Sequence, residues 1–122
     1  MWFLISGKRI ALLMIIYSVT IAIQASIESE WFDWMNKVHV PDVLRTGYFL
    51  ECRISKVLGS EGDEITYILQ YRCSSLAEYH RYRDNFAPAL QKEHTDRFAG
   101  KFRGSRQLLE EMAVIGPARA SA

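Results

Sequence analysis

Tyr17-Ser18-Val19-Thr20-Ile21-Ala22-Ile23-Gln24 is the stretch on which the fold turns. Tyr17, Val19, Ile21 and Ile23 fall on one side and Ser18, Thr20, Ala22 and Gln24 on the other, the two-residue period of a β-strand. The surrounding run from Ile10 to Ile27 is eighteen residues without a charge, with Lys8 and Arg9 just before it. By hydropathy alone that run has the length of a membrane span, or the build of a signal sequence with a cleavage position at Ala25. A membrane helix has no reason to alternate, so the strand reading is preferred and membrane attachment is the minor alternative. A mature chain starting at Ser26 would overturn it. Met14 offers a start for the folded domain, leaving residues 1–13 as an N-terminal extension.

Outward from this strand, Ser26 is a fair N-cap, and Glu28 and Glu30 suit a helix N-terminus. Ile27, Trp31, Trp34, Met35 and Val38 recur at helical spacing. Pro41 lacks an N–H, which predicts that the helix ends or bends near His39–Val40. After Thr46-Gly47, residues 48–58 read as a strand. Tyr48, Leu50, Cys52, Ile54 and Leu58 form one face and Glu51, Arg53 and Ser55 the other. Turn chemistry at 59–63 leads into a strand over 64–73, with Ile65, Tyr67, Leu69, Tyr71 and Cys73 on its apolar face. Ser75-Leu76-Ala77-Glu78 is a capping box that opens a second helix. Ala87-Pro88 breaks it and starts a segment carrying Leu90, His94 and Phe98. Gly100 stops that segment, residues 101–109 suggest a last strand, and 113–122 form a flexible tail.

This order, β-α-β twice over residues 14–112, predicts an α+β fold of the ferredoxin-like split β-α-β-β-α-β type. Four antiparallel strands carry two helices on one face. The other face would expose Ser18, Thr20, Glu51, Arg53, Gln70 and Arg72 among Ile16, Ala22, Phe49, Val57 and Ile68. That mixture is too apolar for solvent and too polar for a sealed core. It predicts a homodimer in which two such faces pack about 10 Å apart around a polar-lined cavity between protomers.

Composition narrows the function classes. The chain has 122 residues, 49% of them apolar, and 15 Lys+Arg against 14 Asp+Glu. That is one globular domain, neither disordered nor an electrostatic binder of nucleic acid. Arg97, Lys101, Arg103 and Arg106, with Phe98 and Phe102 between them, read as a charged edge strand that blocks pairing rather than as a stacking surface for nucleic acid. Cys52 and Cys73 are at best diagonal across the hairpin and are expected to be free thiols in a cytoplasmic protein. With His39, His80 and His94 they make no zinc-ligand spacing, so neither metal nor cofactor is expected. No phosphate loop or nucleophile motif is present, and no reaction is assigned. The candidate catalytic residues are His39 and His94. His39 is a base or ligand contact, or else a cap for the last helix carbonyls. His94 is a base, or else a packed, hydrogen-bonded core residue. Glu51, Arg53, Gln70 and Arg72 are candidates for a small polar ligand, or form a cross-strand ion network.

Several motifs together carry a resemblance. Trp31-x-x-Trp34-Met35, His39-Val40-Pro41, Thr46-Gly47-x-Phe49 and Tyr67-x-x-Gln70-Tyr71 are followed by Ala87-Pro88-x-Leu90, His94-x-x-Arg97-Phe98 and Arg106-x-Leu108-Leu109. From Met14 to about Met112 the chain resembles the small proteins grouped as domain of unknown function 4286, within the dimeric α/β-barrel superfamily. Ser105 departs from the pattern, where an aromatic is expected before the arginine. The resemblance implies the fold and a homodimer, and no reaction. Its wider superfamily includes small-molecule monooxygenases and haem-degrading enzymes as well as proteins without known chemistry. Two functions therefore stand open: a small-molecule binding protein or cofactor-independent enzyme, and a non-catalytic dimeric interaction module.

Overall fold

The alternating stretch is a strand at the centre of the sheet. A computed structural model describes residues 2–5, 8–11, 13–59 and 62–118. β1 (Trp2–Ile5) and β2 (Lys8–Ala11) pair with each other as a separate antiparallel two-stranded sheet, in a segment where sequence reading assigned no element. The main sheet contains β3 (Ile15–Gln24), β4 (Glu51–Lys56), β5 (Glu64–Cys73) and β6 (Phe102–Glu110), ordered β4-β5-β3-β6 with every neighbour antiparallel. This is the ferredoxin-like arrangement, with the first strand of the split motif holding two ladder partners. The middle of the 59–63 turn, Ser60 and Glu61, and the end of the tail, 119–122, lie outside the described residues.

Both helical passes cover one face. The first begins with a short 3₁₀ turn at Ala25–Ile27 and continues as α1 (Glu28–Trp34), a π-helical turn (Met35–His39) and α2 (Val40–Arg45). The expected N-cap at Ser26 is not used: Ser26 lies inside the 3₁₀ turn, and no side chain caps α1. Pro41 does not end the helix either. It sits at the start of α2 within one continuous helical pass, where its missing N–H leaves an interior carbonyl without its usual donor, and the turn before it widens. The amide of Val40 donates to the carbonyl of Met35, five residues back. The second pass is α3 (Leu76–Asn85) and α4 (Ala87–Arg97). Ser75 caps α3 by accepting the Glu78 amide at 3.2 Å, as the capping box requires.

The core lies between the helices and the inward faces of β3 and β5, with Trp31, Ile23, Met35, Leu69, Cys73 and Phe98 sealed inside. Phe49 is a correction to the sequence reading. It belongs to this core, because the strand begins only at Glu51 and the bent chain before it breaks the alternation. Phe49 packs against Tyr82 at 4.7 Å between ring centroids, and Leu50 turns outward. Cys52 stands opposite Tyr71, and both thiols are free.

Candidate functional site

The sequence-predicted residues divide between the two faces of the sheet. His39 and His94 lie on the helix side. Glu51, Arg53, Gln70 and Arg72 lie on the other, in register with one another: Glu51 faces Arg72 and Arg53 faces Gln70. The sheet therefore separates the two sets: the helices carry the histidines on one side, and the polar strand residues point away from the helices on the other.

On the helix side a cleft of about 40 Å³ is lined by Tyr17, Val19, Ile21, Leu69 and Tyr71 from β3 and β5, by Met35, His39 and Val43 from the first helical pass, and by Tyr82, Gln91 and His94 from the second. Arg106 of β6 completes it. That volume holds a few waters or a small head group. Arg106 is itself exposed, so it marks the mouth. Sequence reading gave Arg106 to a charged edge. Its register partner is Val19, on the core face, so its side chain turns toward the cleft. Arg103, three residues earlier, is on the opposite face and pairs with Glu64 at 2.9 Å.

The two imidazoles are close, with ring centroids 5.8 Å apart. Burial lowers the pKa of each to about 4; the Asp42 carboxylate opposes the shift at His39, while His94 is lowered further by His39, and Arg106 adds to both. Both are therefore uncharged at neutral pH. His94 is buried, and its Nε2 accepts from the Trp31 indole N–H at 2.9 Å. An indole can only donate, so Nε2 carries no proton and the proton of neutral His94 is on Nδ1. His39 stacks on Trp34 at 5.3 Å, and its Nδ1 is buried without a hydrogen-bond partner. A bare lone pair is the cheaper group to leave unpaired there, which places the proton on Nε2. His39 thus stands in mid-helix at the end of the π-helical turn, and does not cap terminal carbonyls. Burial raises the Tyr17 pKa, opposed by Arg106 and Gln91 beside its hydroxyl. The cleft is a pocket of mixed polar and apolar lining that holds two uncharged imidazoles and one cation.

The opposite face carries a different arrangement. Arg72 is held by Glu111 at 2.8 Å and by Glu51 at 3.4 Å, and a Glu111 carboxylate oxygen also accepts the Met14 amide at 2.9 Å. Arg53 pairs with Glu51 at 3.2 Å. The ion network read from sequence is present, and it ties the segment after β6 to the start of β3. Glu111 escaped the sequence reading because it lies beyond the last strand. Among the described residues, no cluster of three or more His, Cys, Asp or Glu could hold a metal ion, and no helix is long and apolar enough to cross a membrane.

Solved structures share this fold at low identity. A putative antibiotic biosynthesis monooxygenase from Bacillus cereus superposes with a TM-score of 0.61 at 7% identity, covering 86% of this chain and 99% of that one. A dimeric ferredoxin-like protein from an uncultured marine organism matches with a TM-score of 0.56 at 14% identity, over 84% and 99% of the two chains. A Streptomyces coelicolor monooxygenase in complex with nanaomycin D gives 0.58 at 11% identity, over 87% and 94%. No curated protein matches the chain in sequence. The family model described as Domain of unknown function (DUF4286) matches residues 14–112. The chain belongs to that family.

Proposed function

We propose that the protein is a homodimeric small-molecule binding protein, each subunit taking its ligand in the cleft between sheet and helices. The observation that carries this reading is the pair of imidazoles, His39 and His94, brought together in a half-open pocket with Arg106 at its mouth. A core without a ligand has little use for two desolvated histidines, each of which costs stability that an apolar residue would not. The similar monooxygenase from Streptomyces coelicolor was solved in complex with nanaomycin D, which supports a fold suited to such binding. The similar marine protein is a dimeric ferredoxin-like protein, which supports a homodimer; we place its pairing on the face that carries Ile68 and Arg53, left uncovered by the helices. We infer a cytoplasmic setting from two thiols packed singly, Cys73 in the core and Cys52 against its edge. A cofactor-independent reaction in the same cleft is the enzymatic form of this reading.

Native mass spectrometry of the purified protein tests it. The expected spectrum is a dimer carrying one small adduct per subunit, lost in His39→Ala. Empty spectra on repeated preparations, with His39→Ala as stable as the parent, would leave the interaction module as the answer.

A further inference from the structure

The arginines of this chain are not equivalent. Every other arginine whose side chain is described has a carboxylate oxygen within 4.0 Å, from Arg45 with Asp42 to Arg103 with Glu64. Arg106 has none among the described residues. It is also the arginine that lines the cleft. A guanidinium beside the cleft, left without an anion by its own chain, is matched to an anion from elsewhere. The remaining polar groups agree in sign. The Trp31 contact leaves the His94 proton on Nδ1, the buried Nδ1 of His39 leaves its proton on Nε2, and Tyr17 and Gln91 add a hydroxyl and an amide. No carboxylate lines the cleft itself; the nearest charge acting on it from outside the lining, besides Arg106 at the mouth, is Asp42 beside His39, which also pairs with Arg45.

We propose, resting on the cleft reading above, that the ligand is a small carboxylate whose head group binds Arg106 and the imidazole N–H donors, its apolar part lying against Val19, Ile21 and Leu69. The cleft volume admits a small head group, with any longer part of the ligand leaving past Arg106 at the mouth. Binding neutralises the Arg106 charge and needs no proton transfer.

The test uses propionate and its neutral isostere propionamide as probes, followed through the imidazole signals of His39 and His94 by NMR at constant ionic strength. Propionate is expected to shift both signals saturably, and propionamide to bind about tenfold more weakly or worse. Arg106→Gln should weaken propionate by a similar factor, while Arg103→Gln, on the other face of the same strand, should leave it unchanged. Equal binding of the two probes, or full binding in Arg106→Gln, would overturn the carboxylate assignment and leave the cleft as a binding site. If neither probe moves either imidazole, the assignment and the cleft reading fall together.

Discussion

The indole of Trp31 and the imidazole of His94, 63 residues apart in sequence, meet at 2.9 Å inside the core. Trp31 is fully buried and also packs on the Tyr67 ring at 5.0 Å. Trp31→Phe removes the indole donor to His94 Nε2, leaves that buried acceptor without it, and opens a void. The expected loss is about 3 kcal/mol, read as a lower urea midpoint at unchanged slope.

Stability should depend on pH through the same imidazoles. Each titrates at about 4 in the folded protein against 6.5 in the unfolded chain. Between those values the unfolded chain binds protons that the folded chain does not, so stability rises with pH across this window. Acidifying from pH 6.5 to 4 should cost on the order of 2–3 kcal/mol per imidazole. Urea denaturation at several pH values should show the slope, and His94→Gln should remove about half of it.

Pro41→Ala restores the amide whose absence goes with the π-helical turn. The first helical pass should keep its helix content and shorten toward regular α geometry, which turns His39 away from His94. The His39 imidazole signal should move, and its pKa should rise toward 6.5 as the ring gains solvent. An unchanged His39 titration would mean that packing of Met35, not Pro41, sets the turn.

Light scattering at micromolar concentration should give twice the chain mass of 14.1 kDa. Ile68 lies on the face away from the helices, half-buried in the single chain. Ile68→Arg would place a cation in the paired interface and should yield a folded monomer, seen as a halved mass with unchanged far-ultraviolet circular dichroism.

The fold was legible because its strongest signals are local. The strand read from the alternation over 17–24 forms, although Ser18 and Ala22 on its outer face are buried as well; alternation over 64–73 survives in the structure almost residue for residue, and the Ser75 capping box forms as written. What failed depended on where alternation stops. Phe49 was assigned to the open face by counting back from Glu51, although the chain is no longer extended there. His39 and His94 were legible as residue types and as positions on helices. Their adjacency was not, since it depends on how two helices cross the sheet. Pro41 predicts that the helix ends or bends near His39–Val40, and the structure takes the second course: the helical pass continues, with a π-helical turn just before the proline. Arg106 was grouped with Arg103 by charge. Their spacing of three already separates them by face once the segment is taken as a strand.

A π-helical turn is an α-helix with one residue too many. The turn at Met35–His39 can therefore be regarded as the trace of a single inserted residue, tolerated because the extra length emerges as a bulge rather than a shifted register. Relatives that descend from the uninserted form should be one residue shorter between Trp34 and Pro41, with a straight helix there. In those relatives the position of His39 would be swung by about 100° around the axis, away from the pocket. Gain of the second imidazole and gain of the extra residue would then be one evolutionary event, and chain lengths within the family should sort its members into those with a paired-histidine cleft and those without.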